Sequence, residues 1–169
     1  VKIQGIKIDL TEEQLQKLQQ LVEHKHPFKR VDKGETYYFV EPYVDGVFYS
    51  LILTETYNDL CDKKFDSGNY YNNKEFADQV AMDLNLQQRL RKFTYENGWS
   101  DDLWEDTNVY KTEITFDGIT KRWGFRTYKY PMYNPLVVYF KNGETAHRAV
   151  EEVVRPFCKE NPNYRFQEE

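Results

Sequence analysis

This sequence has no run of about 18 apolar residues, the length a helix needs to cross a bilayer. Its start carries no signal-peptide pattern. Only two cysteines are present, Cys61 and Cys158; they lie far apart and form no CxxC pair. That excludes a disulfide framework and favours a reducing compartment. Basic charge is in deficit: 23 Lys and Arg against 28 Asp and Glu leave a net charge of −5. An acidic chain lacks the concentrated positive field that nonspecific nucleic-acid binding requires, although a local basic patch is still compatible with it. No nucleophile–base–orienter set, glycine-rich phosphate loop or cluster of metal ligands stands out. The expectation is a soluble protein of the host-cell cytoplasm that is not an enzyme and takes no cofactor and no metal.

What the chain does have is aromatic surface. Hydrophobic residues make up only 40%, but 14 Tyr, 11 Phe and 3 Trp bring the aromatic share to 17%. Each ring buries a large area, which offsets the modest aliphatic content. Tyr also suits a half-buried pleated surface. A length of 169 residues is enough for one domain with its own core.

One segment occurs twice. Tyr70-Tyr71-Asn72-Asn73-Lys74-Glu75-Phe76-Ala77-Asp78-Gln79-Val80 aligns without a gap on Tyr139-Phe140-Lys141-Asn142-Gly143-Glu144-Thr145-Ala146-His147-Arg148-Ala149. Each copy reads as an aromatic strand end, a polar turn and the first turns of a helix.

The elements around these copies follow the same plan. Lys2–Leu10 alternates apolar and polar and reads as a short hairpin or edge strand. Thr11-Glu12-Glu13-Gln14 is a capping box, and Leu15, Leu18, Leu21 and Val22 extend a helix to about His24, ahead of Pro27. Thr36–Glu41 and Val47–Thr54 are strands joined at Asp45-Gly46. Thr56–Asp66 reads as an acidic loop or irregular edge. A short strand at 69–71 leads into a helix capped by Asn72 or Asn73 and stopped by Asn97-Gly98. Trp99–Asp106 is an acidic connector. Val109–Phe116 and Lys121–Tyr130 are strands about the Asp117-Gly118 turn, followed by a buried-type strand over Leu136–Phe140. Asn142 caps a last helix, which Pro156 should end or kink near Val154. The polar tail from Lys159 onward should fray. The fold class is therefore α+β: an N-terminal helix and two antiparallel β-meander-plus-helix units, residues 35–98 and 99–160, in one domain spanning 1–169 with a connector to 34 and a tail over 161–169.

Isolated chemical signals weigh little. Zinc needs three or four converging ligands, whereas only His24 and His26 are close, so these and His147 are surface histidines. Cys61 stands beside Asp59 and Asp62, which would raise its pKa, and Cys158 follows a helix end whose dipole disfavours thiolate. Both read as structural. Asn58, Asp59, Asp62 and Asp66 have the oxygen density of a calcium loop without its spacing.

Two surfaces point to binding. Asp59, Asp62 and Asp66 with Asp101, Asp102, Glu105 and Asp106, set among Trp99, Trp104 and Tyr57, form an acidic and aromatic set. Such a set can mimic a phosphate backbone and occupy a basic groove on a protein. The rival is a basic and aromatic strand in which Lys121, Arg122, Arg126 and Lys129 interleave with Trp123, Phe125 and Tyr128 and could track a nucleic acid.

Three stretches also carry a resemblance: Ile6–Leu15, Gly34-Glu35-Thr36-Tyr37-Tyr38 and Ser67-Gly68-Asn69-Tyr70-Tyr71. A Lys-Glu helix ending Arg91-Lys92-Phe93-Thr94-Tyr95-Glu96-Asn97 follows the last of these, and Tyr139-Phe140, Ala146 and Ala149-Val150-Glu151 fit the same pattern. Together they resemble small accessory proteins of phages and prophages of Gram-positive bacteria. The resemblance implies a viral origin and a nonenzymatic role such as inhibiting a host defence nuclease, as anti-CRISPR proteins do. It carries over no individual site residue. The alternatives are the nucleic-acid binder and a small-molecule sponge.

Overall fold

The two longer hairpins each turn where an Asp side chain binds the backbone just ahead of it. The structure, a computed structural model, describes the backbone of Lys2–Ile3 and Ile6–Lys7 and residues 11–14, 26–129, 134 and 136–168. Strands β1 (Lys2–Ile3) and β2 (Ile6–Lys7) pair antiparallel. Thr11 and Gln14 exchange the two side-chain-to-backbone bonds of a capping box, at 3.0 and 3.3 Å. The rest of the expected N-terminal helix lies outside the described residues, as do His24, Pro131 and Pro135.

Strand β3 (Thr36–Pro42) pairs antiparallel with β4 (Phe48–Thr54), Tyr38 facing Ile52. In their connection Asp45 Oδ1 accepts from Val47 N at 2.9 Å, and Gly46 takes the left-handed φ of 78° that glycine adopts freely. Strand β5 (Lys111–Asp117) pairs in the same way with β6 (Arg122–Tyr128). There Asp117 Oδ1 accepts from Ile119 N and Thr120 N at 2.8 and 3.2 Å. In each case the chain then returns to the first strand of its hairpin. Tyr71 bridges antiparallel to Tyr38, and β7 (Tyr139–Phe140) pairs with Glu113 and Thr112 of β5. An Asn-capped helix follows each return: Asn73 Oδ1 accepts from Phe76 N at 2.7 Å and Asn142 Oδ1 from Thr145 N at 2.8 Å.

The architecture is α+β, with helices and antiparallel sheets. The chain packs as two compact units, Val1–Val80 and Ala81–Glu169, divided within the long helix α2 (Lys74–Glu96). The core of the first unit is aromatic, with Tyr37, Phe39, Tyr70 and Cys61 backed by Leu51, Leu53 and Phe65. That of the second is larger and mixed, built on Leu86, Leu90, Phe93, Phe140, Ala146, Ala149, Val154 and Phe157.

Four expectations are corrected. Asp59–Asp66 is a helix, α1, not a loop. Asn58 caps it by accepting from Cys61 N at 3.0 Å, and Asp59 and Asp62 in the first turn complement its dipole. Polarity had masked the Cys61/Phe65 spacing that faces the core. Second, β7 is two residues long instead of running from Leu136, which is 77% exposed. Third, of the end or kink expected near Val154, the ending is ruled out, and the helix is distorted there and continues. After α3 (Gly143–Ala149) the backbone widens into a π turn over Val150–Val154, Arg155 N reaching back to Val150 O, and then continues as α4 (Arg155–Glu160). The wider turn accommodates the ring without breaking the rod. Fourth, the tail is docked. Tyr164 is buried and donates to Asp83 Oδ1 at 2.9 Å, and Phe166 packs edge-on against Tyr164 and beside Phe116 and Trp123. Glu168 accepts from Trp123 N at 3.3 Å and pairs with Arg155.

Candidate functional site

In the second unit an open cleft forms where α2 stops. Gly98, at φ 86°, sends Trp99 N back to Thr94 O at 3.0 Å and its own N–H to Tyr95 O at 3.3 Å. This double bond pattern turns the chain sharply and places an apolar residue against the last helical turn. A 3-10 turn over Asp101–Trp104 then returns Trp104 to the same place. The rings of Trp99, Trp104 and Tyr139 pack together. Trp104 stands edge-on to Tyr139 at 4.6 Å and to Trp99 at 5.4 Å. Thr94 Oγ1 donates to Tyr139 O at 2.7 Å, fixing β7 to α2.

The cleft has a volume of about 690 Å³ and is lined by Arg91, Thr94, Tyr95, Trp99, Asp101, Trp104 and the segment Val137–Tyr139. Trp99 and Tyr139 are its buried floor, whereas Trp104 is half-buried and Tyr95 exposed. At the rim Tyr95 donates to Asp101 Oδ1 at 2.5 Å. Asp102, Glu105 and Asp106 are exposed beside it. Asp106 Oδ1 also holds a turn by accepting from Asn108 N at 2.8 Å. Flat aromatic area with charge at its margin is the composition of a binding surface.

Of the acidic and aromatic set expected from sequence, Trp99, Asp101, Asp102, Trp104, Glu105 and Asp106 are thus brought together in one unit. Asp59, Asp62 and Asp66 lie on α1 of the other. Asp62 is also committed there, to Arg30 at 2.6 Å. Arg91, Tyr95, Val137 and Val138 had been missed as lining residues. Tyr95 was identifiable only as a ring one turn before the helix stop. In the rival basic strand, Arg122, Arg126 and Lys129 are exposed and Lys121 half-buried, at a left-handed φ of 52° in the turn. Phe125 and Tyr128 are 46% and 41% exposed, and Trp123 is half-buried against Phe116 and Phe166.

The first unit holds a second polar cluster that sequence reading missed entirely. Glu55 is fully buried and accepts from Arg30 Nε and Nη2 at 3.1 and 3.2 Å, from Tyr70 OH at 2.8 Å and from Tyr57 N at 2.7 Å. Burial alone would raise its pKa. The guanidinium and the hydrogen bonds outweigh that and hold it at about 2. Tyr57 sits at a left-handed φ of 54° to make its bond. Its ring lies 4.7 Å from the Arg30 guanidinium. Cys61 is buried next to this cluster, with Tyr37 OH donating to its sulfur at 3.7 Å and Thr56 Oγ1 sharing a hydrogen bond with it at 3.5 Å. The expectation that Asp59 and Asp62 would raise its pKa is corrected. Burial pushes it up, but hydrogen bonds from Thr56, Tyr37 and the local backbone bring it below the ordinary value. Cys158, buried in the other unit, is pushed up by its burial. Glu55 already has a partner at each oxygen, so this cluster acts as a structural centre holding the 26–35 connector, β4 and Tyr70 together.

No family model, curated protein or solved structure matches the chain.

Among the described residues, no group of three or more His, Cys, Asp or Glu side chains could hold a metal, and no helix is long and apolar enough to cross a membrane.

Proposed function

We propose that this chain is a phage- or prophage-encoded, nonenzymatic accessory protein that binds and inhibits a host protein, with a nuclease-type defence effector as the target class. One observation carries the reading: the cleft of Tyr95, Trp99, Trp104 and Tyr139 bordered by the exposed carboxylates Asp101, Asp102, Glu105 and Asp106. Proteins that grip nucleic acid present basic grooves with stacking platforms. A rim of carboxylates around rings is complementary to such a groove. Trp104 and Tyr95, the more accessible rings, supply the anchoring area, and the carboxylates supply register and association rate.

The test is affinity capture from a Gram-positive host lysate, followed by purified binding with the identified protein. Changing Asp101, Asp102, Glu105 and Asp106 together to Lys should abolish retention, and Trp104→Ala should weaken it by about tenfold or more. Retention undiminished by the fourfold change would overturn the acidic interface. The second reading, a nucleic-acid binder, is favoured by Arg122, Arg126 and Tyr128, which share one exposed face of β6. It predicts binding to oligonucleotides that weakens steeply with salt and is lost when Arg122 and Arg126 are replaced.

A further inference from the structure

The cleft at the end of α2 combines charge of one sign with rings set at right angles. From Phe93 to Tyr110 the chain has five acidic residues and no Lys, Arg or His. Asp101 lines the cleft, and Asp102, Glu105 and Asp106 follow in the turn beside it; all four are exposed. One guanidinium, Arg91, lines the cleft with them. The ammonium of the fully buried Lys111 is committed to Asp106 O. Carboxylates alone would be a solvated face, but these border an aromatic corner. Trp99 and Tyr139 lie nearly parallel, 22° between their planes, and Trp104 stands across them at 76° and 86°. Ring faces carry the negative part of the aromatic quadrupole, so such a corner attracts a cation, the more strongly where water is partly excluded.

Asp101 completes the site. The bond from Tyr95 OH fixes its carboxylate at the rim. A carboxylate accepts about four hydrogen bonds, and among the described residues no basic side chain pairs with this one. A planar guanidinium matches both halves of the site. It stacks flat on a ring and offers parallel N–H groups to a carboxylate, whereas an ammonium is a compact, strongly hydrated point charge. The volume of about 690 Å³ falls within the range of ligand pockets and holds a side chain together with the peptide that carries it. We propose that the cleft is a socket for one arginine side chain of a partner's basic segment, its guanidinium stacked on Trp104 and paired with Asp101. Asp102, Glu105 and Asp106 then attract the basic residues that flank it. This rests on the reading of the cleft as an interface and adds which side inserts: the partner supplies the entering side chain.

The peptide acetyl-Gly-Arg-Gly-amide should bind the full chain with a dissociation constant of about 1 mM or below. In an NMR titration it should shift the indole N–H signals of Trp99 and Trp104 and leave that of Trp123, packed against Phe116 and Phe166, in place. The lysine peptide should bind about fivefold more weakly. The citrulline peptide, which keeps the shape of arginine without its charge, should lose about tenfold or more. Asp101→Asn preserves size and removes charge, and should weaken the arginine peptide by about tenfold; Trp104→Leu should do so by removing the stack. An unchanged Trp123 signal shows that each variant is folded. Should Trp104→Leu fail that criterion, Asp101→Asn and the citrulline comparison decide. Absence of shifts at Trp99 and Trp104 up to about 10 mM arginine peptide overturns the proposal. So does equal binding of the lysine or citrulline peptide, or an Asp101→Asn variant that binds as the wild type does. Arginine binding with no host protein retained strikes the host-protein reading alone. Retention that depends on the four carboxylates, without arginine binding, strikes the socket alone.

Discussion

The two units share a hairpin, a return to its first strand and an Asn-capped helix start, and they fill these differently. In both, a hairpin is followed by a segment that returns to the hairpin's first strand, then by a helix whose first turn is capped by Asn, with a fully buried alanine four residues on, Ala77 or Ala146. The first unit closes around an ion pair, Glu55 with Arg30, and stacked rings, Tyr37 and Tyr70 at 4.1 Å. The second closes around aliphatic and aromatic side chains on α2, α3 and α4 and is sealed by its docked tail. Backbone path is thus a weaker constraint than it looks. What it demands is a filled centre, and hydrogen-bonded charge or apolar volume can each supply that.

The sharpest break of this comparison is a cavity in one centre. Phe140→Ala should destabilise the second unit by about 3–5 kcal/mol. Cys158 and Cys61, one buried thiol per unit, report the site of damage: alkylation of Cys158 should accelerate far more than that of Cys61. Equal acceleration would mean that the units open together. The mirror experiment is Glu55→Ala, which leaves a half-buried guanidinium without its main partner and should cost about 3 kcal/mol. Here Cys61 should become the faster thiol.

Acid sharpens the contrast. The folded value of Glu55 is depressed to about 2 from an ordinary 4.5. Its contribution is therefore fully present above about pH 4.5 and is lost as pH falls towards 2. Asp83, in the second unit, has the opposite sign: burial pushes its carboxyl up against the opposing Tyr164 hydroxyl and Arg165, so protonation favours its folded state. All three tryptophans, Trp99, Trp104 and Trp123, belong to the second unit. On titration below pH 4.5, circular dichroism should change before tryptophan emission does. Coincident transitions would count against separate centres. The smallest expected effect is at the matched caps, where Asn73→Ala and Asn142→Ala should each cost about 1 kcal/mol in urea unfolding. A cost several-fold larger at one of them would show that the two turns are not equivalent.

The hairpins, their Asp-centred turns, the Asn caps and the helix stop at Asn97-Gly98 were legible because each depends on a few neighbouring residues: alternation, an Asx side chain within reach of the next N–H, a glycine free to take positive φ. The gathering of Trp99, Trp104 and the 101–106 carboxylates was legible for the same reason, being local to one turn. Helix α1 was not. Its polar sequence turns helical because Asn58 caps it and because Cys61 and Phe65 have a core to face. Pro156 left two outcomes open, an end or a kink, because its local rule only forbids an ordinary helical bond; the surrounding packing keeps the helix running and absorbs the ring in a π turn.

By itself, then, the sequence determined the class, the hairpins, the capped helix starts and the places where the chain reverses, since those are settled within a few residues. Only the tertiary structure decided that Glu55 meets Arg30 across 25 positions and that Tyr164 reaches Asp83 across 81. Such contacts are chosen by which distant groups can share one interior, and burial makes a paired charge stable and an unpaired one prohibitive. Local pattern holds no record of that choice.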